Sequence, residues 1–315
     1  MAPRHAGPVR TCDSDFVGGL GRSHHLGGAP YARARYVASS CEVRTGAQPS
    51  MSRPMSNDVH VERSPRRIRT MFGGETIADS TRAVLVWRAG WPPVPAYYFP
   101  RDHVRRDLLL ESEHTAEHPG LGTARYWSIR VGDRMALDAV FGYPESPIVE
   151  LRDHLRFQWR EMDAWYEEDE EVWVHARDPY HRVDVVRSSR HVEVMVAGER
   201  VADSHRPCLL FETGMPVRYY LPKLDVRMDL LRATDTLTDC PYKGRAQYWS
   251  LVLGKTVHED VVWCYHTPLP ETAKITDLVC FYNEKVEIIV DGVAEERPVT
   301  GFSTPDLQAT APRSF

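Results

Sequence analysis

The chain has 315 residues, enough for two domains with their own cores, and a formal net charge of −5 at pH 7. That balance gives no electrostatic case for a nucleic-acid or anionic-membrane partner, and neither is expected. No apolar run approaches the roughly 18 residues of a membrane-spanning helix, and the first residues lack the apolar stretch of a secretory signal.

Residues 1–60 are rich in Gly, Pro, Ser, Arg and Ala without sustained periodicity, and read as a disordered tail. Met51 and Met55 precede the first ordered pattern, so either a start placed too far upstream or a genuine tail accounts for this segment. His24-His25 within it reads as solvated. The cysteines are Cys12, Cys41, Cys208, Cys240, Cys264 and Cys280. None forms a C-x-x-C pair, and the two halves of the chain share no cysteine position. A reduced, cytoplasmic protein is expected rather than a disulfide framework.

A first repeat is expected over 66–165. Ile68 to Met71, a Gly73-Gly74 turn and Glu75 to Ser80 read as a hairpin. Ala83 to Trp87 is a short apolar strand, Gly90 to Pro95 a turn-rich insert, and Tyr97-Tyr98-Phe99 a strand stopped by Pro100. Val104 and Leu108 stand four apart, which predicts a short helical segment capped by Asp102. Strands around Tyr126-Trp127 and over Ala139 to Tyr143 follow. The connector, 166–189, opens on the acidic run Glu167 to Glu171, read as a solvated edge. Val172 and Val174 are expected to flank Trp173 in a strand. His175, Arg177, Asp178, His181, Arg182 and Asp184 suit a polar lid, a bridging surface, or a His181/Asp184 metal pair.

A second repeat is expected over 190–298, with a loose tail at 299–315. Val192, Val194 and Val196 alternate, Ala197-Gly198 turns, and Arg200-Val201-Ala202-Asp203-Ser204 returns. Cys208 to Glu212 matches the strand ending at Arg88. Tyr97 to Tyr143 and Tyr219 to Tyr265 align without a gap. Leu278 to Tyr282 and Val286 to Val290 read as a last hairpin turning through Asn283-Glu284-Lys285. A match of this length and order indicates duplication. Short strands, frequent turns and little helix indicate an all-β fold with minor α content, in two tandem domains.

Cys240-Pro241-Tyr242-Lys243-Gly244, followed by Tyr248-Trp249-Ser250, carries the chemistry-bearing types. Its twin is His118-Pro119-Gly120-Leu121-Gly122, followed by Tyr126-Trp127-Ser128. Together with Val201-Ala202-Asp203-Ser204, Tyr219-Tyr220-Leu221-Pro222, Asp225-Val226, Trp263-Cys264-Tyr265 and Phe281-Tyr282, this set resembles the domain of unknown function 427 family, in tandem over about 66–298. The resemblance implies a β-tent type fold, related in shape to zinc-binding tent domains. The zinc-holding C-x-x-C pairs of those relatives are absent, so no metal is carried over and no cofactor is expected. Members sometimes carry a nucleotidyltransferase-like label, but no Gly-Ser followed by paired aspartates is present to support it.

Cys240 and Lys243 are the first candidates, as nucleophile and charge stabiliser, because a cation beside a sulfur favours its thiolate. The structural alternative is a packed loop cysteine and a lysine in an ion pair. The twin keeps Pro119, Gly122, Tyr126 and Trp127 but loses both reactive types, which favours a pocket in the second copy. Glu212 is a candidate base or cation ligand. Tyr220, Tyr242, Tyr248, Trp249, Trp263 and Tyr265 are candidate ligand-binding aromatics. Strand alternation puts Tyr248 and Trp249 on opposite faces, so one pocket takes only one of them. The expected function is an enzyme on a small organic substrate, or a non-catalytic small-molecule binding module. An interaction protein with a relic pocket and a nucleotidyltransferase-like transferase are weaker alternatives.

Overall fold

The computed structural model describes residues 59–88 and 94–303. The expectations for the 1–58 segment, including His24-His25 and the two early methionines, fall outside these residues. So do most of the Gly90 to Pro95 insert and the end of the tail.

The first repeat runs β1 (His60–Arg63), β2 (Ile68–Phe72), β3 (Glu75–Ser80), β4 (Val84–Trp87), β5 (Ala96–Pro100), β6 (Leu109–His118), β7 (Gly122–Val131), β8 (Arg134–Gly142), β9 (His154–Phe157), β10 (Ala164–Glu167) and β11 (Glu170–Glu171). The second runs β12 (Val183–Arg187), β13 (Val192–Val196), β14 (Glu199–Ser204), β15 (Cys208–Glu212), β16 (Arg218–Leu221), β17 (Leu231–Cys240), β18 (Gly244–Leu253), β19 (Thr256–Cys264), β20 (Val279–Phe281), β21 (Glu287–Val290) and β22 (Val293–Ala294). Each repeat folds into one seven-stranded and one four-stranded sheet. The large sheets follow β1-β4-β5-β9-β8-β7-β6 and β12-β15-β16-β20-β19-β18-β17, the same order in both copies. The small sheets, β11-β10-β2-β3 and β22-β21-β13-β14, also correspond.

The strands form where the burial pattern alternates. β2 and β13 both bury every second residue, so one face of each small sheet packs inward. Their hairpins turn through Gly73-Gly74 and Ala197-Gly198, all four at positive φ, the backbone that a two-residue turn between twisted strands requires. Bulges recur at equivalent places, after Glu111 in β6 and after Ala233 in β17. Asp138 and Asp260 hold the matching positive φ in β8 and β19.

Each large sheet is buried on two faces. One packs on the small sheet, around Ile68, Ile77, Phe99 and Trp165 in the first copy and Val194, Leu221, Phe281 and Ile288 in the second. The other carries an aromatic wall: Tyr98, Tyr126, Phe141 and Tyr143 in the first copy, Tyr220, Tyr248, Trp263 and Tyr265 in the second. Burial of side chains of this size stabilises the fold by about 1.5–3 kcal/mol each.

Several expectations are corrected. The segment between Val104 and Leu108 is not one helix but two short 3-10 turns, Arg101–His103 and Arg106–Leu108, and Asp102 makes no cap bond. The last hairpin does not exist as such, because β20 joins the large sheet and β21 the small one. Val172 to Val174 is not a strand: Val174 has φ 72, and Val172 is buried in the first core. Val183–Arg187, expected in the connector, is the first strand of the second repeat and pairs with β15 as β1 pairs with β4. Glu167 is not solvated. It is buried, accepting from the Tyr97 hydroxyl and the Arg66 guanidinium.

Candidate functional site

The hairpin turn Pro241–Lys243, between β17 and β18, is clamped to the chain that follows β19. Lys243 O accepts from Leu269 N at 3.1 Å, and Gly244 pairs with Pro268. Gly244 has φ 98, and a Cβ there would stand 3.2 Å from Thr267 O. Only glycine fits this turn without displacing backbone.

Clamped in this way, Lys243 points back under the sheet. Its Nζ lies 2.5 and 2.6 Å from the two carboxylate oxygens of Glu212, the last residue of β15. Their side chains are only 11 % and 8 % exposed. His181 Nε2 lies 3.1 Å from Glu212 Oε1. Its ring stacks on Tyr242 with centroids 4.0 Å apart and planes 15° from parallel. Tyr242 in turn accepts from Asp178 N at 2.8 Å.

The electrostatics follow. Burial works against the Glu212 charge, but His181 and Lys243 outweigh it and hold the carboxyl down at about 2. A carboxylate held that low is a weak base at neutral pH. Burial also works against the Lys243 ammonium, and the nearby Cys240 and Glu212 side chains outweigh it, leaving the pKa raised. Cys240 is half-buried and lies beside the same ammonium. His175, edge-on to Tyr242, is pushed down by burial.

Behind this cluster stands the aromatic wall. Trp263 Nε1 donates to Tyr220 OH at 3.1 Å, and the Tyr248 hydroxyl lies 2.9 Å from Thr238 Oγ1 and 3.3 Å from the Tyr282 hydroxyl. Tyr265 feels Tyr220, Cys240, Tyr248 and Glu212 together, and burial raises its pKa far above the usual tyrosine range. Trp249 stands apart. It packs on the other face of the sheet, near His266 and Lys223. Of the sequence candidates, the structure thus brings together Cys240, Lys243, Glu212, Tyr220, Tyr242, Tyr248, Trp263 and Tyr265, but not Trp249.

In front of Tyr242 is a cavity of about 350 Å³ between the repeats. Ser64, Pro65, Arg66, Leu85 and Glu167 line it from the first repeat, and Pro241, Tyr242, Leu269 and Glu271 from the second. Residues from Arg177 to Val183 form the wall between them. Asp178 ties the halves: its carboxylate accepts from Trp87 Nε1 at 3.3 Å while its N–H donates to Tyr242. His181 both lines the cavity and bonds Glu212, joining the cavity to the buried cluster. The sequence alone offers His181 as part of a polar lid, a bridging surface or a metal pair with Asp184. Asp184 instead pairs with Arg182 at 2.7 Å. The pairing of His181 with Glu212 crosses 31 residues and leaves no spacing signal.

The first copy has the same turn with other contents. Leu121 occupies the place of Lys243, fully buried. Arg88 stands where Glu212 does. His118, the counterpart of Cys240, is 2.8 Å from the Tyr143 hydroxyl, and its pKa is lowered by burial and by Arg88 and Arg156.

Two matching all-β domains, one with charges buried behind a hairpin turn, define a duplicated β protein. The chain belongs to the family of the domain of unknown function DUF427, whose family model matches residues 60–168 and again 184–292. Both matches begin on the strands β1 and β12 that open each repeat. No curated protein matches the chain. Among the described residues, no helix is long and apolar enough to cross a membrane.

Proposed function

We propose that the chain binds a small organic molecule with an acidic group in the cavity between its repeats, and that the Lys243–Glu212–His181 cluster forms the polar floor of that site. The observation that carries this reading is the buried cluster itself. The first copy folds to the same strand order with Leu121 at the Lys243 position, so the fold has no need of the charges. Buried ion pairs contribute little stability beyond what apolar packing supplies, so retention of one points to a role at a site.

Three arginines, Arg66, Arg177 and Arg182, line the cavity. Arg177 Nε is buried and has no partner among the described residues. An unmade bond of this kind costs about 1–3 kcal/mol, which a ligand acceptor would recover. The cavity volume falls in the range of about 300–1,000 Å³ usual for small-molecule sites. Native mass spectrometry of the purified chain, followed by calorimetric titration with the anion found or with a set of small carboxylates and phosphates, tests the reading. Arg177→Ala and His181→Ala should each weaken binding. Binding indifferent to both would remove it.

A second reading is enzymatic. Cys240 stands beside the Lys243 ammonium, and its half-exposed position contrasts with buried Cys208, Cys264 and Cys280. Alkylation followed peptide by peptide should show Cys240 reacting faster than an unstructured cysteine peptide, with the advantage lost in Lys243→Met. Ordinary reactivity in the wild type would leave the binding reading alone.

A further inference from the structure

Away from the cavity, a second group of ligand-type side chains converges where β19 ends. The alternation that sends Trp263 and Tyr265 to the aromatic wall sends Cys264 to the opposite face, where it is fully buried. His266 follows two residues later. Asp277 is carried back to them by the loop: Tyr265 and Thr276 form a parallel bridge, and Asp277 N donates to Tyr265 O at 3.0 Å. A thiol, an imidazole and a carboxylate therefore meet, with one ligand atom from each lying within 4.8 Å of the others.

The spacing suits a metal ion. Cys264 Sγ is 3.8 Å from His266 Nδ1 and 3.6 Å from Nε2. Tetrahedral zinc, with bonds of about 2.3 Å to sulfur and about 2.0–2.1 Å to nitrogen, holds the two donors roughly 3.6 Å apart. Asp277 Oδ1 is already hydrogen-bonded to His266 Nδ1. The first copy supports the contrast. By strand register Gly142 takes the place of Cys264, each facing the corresponding residue of the neighbouring strand, Leu155 or Val279. Pro144 takes the place of His266. The two strongest ligands thus belong to the second copy alone.

We propose that Cys264, His266 and Asp277 bind a divalent ion of the zinc class, with the remaining coordination position open to solvent. On binding, the thiol releases its proton to water. The metal takes the place of the hydrogen between His266 Nδ1 and Asp277, and His266 coordinates as the neutral Nε2–H tautomer, its Nδ1 proton passing through solvent to Nε2. A sulfur–nitrogen–oxygen set favours zinc, cobalt or nickel over magnesium or calcium. Lys223 Nζ, 3.4 Å from Asp277 Oδ1, opposes a cation there, and the Trp249 ring, with its centroid 6.0 Å from that ammonium, offers it a seat to withdraw to.

Cobalt(II) titration of the chelator-treated full chain reads this site specifically, because a thiolate ligand gives a charge-transfer band in the near ultraviolet. One equivalent should produce the band, and zinc should bleach it. His266→Ala, at a partly exposed side chain, and Asp277→Asn should weaken cobalt binding at least as much as the ~10–100-fold that loss of a supporting partner costs. Cys264→Ser should abolish the band, with circular dichroism confirming the fold. If that variant does not fold, His266→Ala decides. His191→Ala should leave the band intact, because the His191, Asp203 and His205 group holds no sulfur. The proposal is overturned by saturating cobalt without a thiolate band, by unchanged affinity in His266→Ala, or by a band that disappears in Cys240→Ser instead.

Discussion

The two hairpin turns, His118–Gly122 and Cys240–Gly244, share a backbone and differ in what they bury. Leu121 N donates to His118 O at 3.0 Å, and Lys243 N donates to Cys240 O at 3.4 Å. Behind the first turn is a leucine against tyrosines. Behind the second is an ammonium closed by a carboxylate. Even the guanidinium over the aromatic wall has changed strands. Arg156 of β9 lies over Tyr98 and Phe141, whereas Arg218 of β16 lies over Trp263 and Tyr282 and is held by Glu284. The register puts Cys280 where Arg156 stands. The difference teaches that one strand order accommodates either an apolar or an ionic filling at this turn.

The comparison breaks most visibly at Glu212. Glu212→Ala leaves the Lys243 ammonium buried without its carboxylate and should cost about 3–5 kcal/mol by urea unfolding. Arg88→Ala, at the matching place in the first copy, should stay within about 0.5 kcal/mol. Replacing both partners, Glu212→Leu with Lys243→Leu, gives the second turn an apolar filling like that of Leu121 and should recover most of the loss. A double variant as unstable as Glu212→Ala would show that the two turns are not interchangeable.

Acid separates the copies next. The Glu212 carboxyl titrates at about 2 in the folded chain, below its ordinary value. Its contribution is therefore complete above that ordinary value and is lost as pH falls from about 5 toward 2. Unfolding free energy should drop across this window, and the drop should shrink in Glu212→Gln. An identical drop in that variant would place the acid sensitivity elsewhere.

The glycines give a smaller contrast. Gly122 has φ 90, but a Cβ there meets nothing closer than 3.6 Å. Gly122→Ala should cost about 1–2 kcal/mol from backbone strain alone. Gly244→Ala adds the approach to Thr267 O and should cost more. The reverse ranking by thermal unfolding would mean that the second turn is the looser one.

The duplication was legible because aligned residues such as Tyr97 and Tyr219, or Pro100 and Pro222, keep their type where strands bury them. The pairing of strands was less so. β20 and β21 read as a hairpin because only a three-dimensional register reveals that they leave for different sheets. β12 was hidden inside a charged connector because Val183, Val185 and Val186 are interrupted by Asp184 and followed by Arg187. At the site, Cys240 and Lys243 stood out by local motif. Glu212 was visible as a strand-end charge, but its ionisation depends on His181 and Lys243, which no local pattern connects. Glu167 looked like part of an acidic edge because burial of a single carboxylate within such a run leaves no trace in composition.

Identical strand order also has a kinetic side. During folding, β1 and β12 each need the free edge of a strand in their own repeat, β4 or β15, and the two edges are built alike. Such duplicated chains are prone to docking a strand on the wrong copy. The contacts around Asp178 hold Trp87 of β4 on one side and Tyr242 of the second turn on the other, so they belong to the arrangement in which both halves carry their own strands.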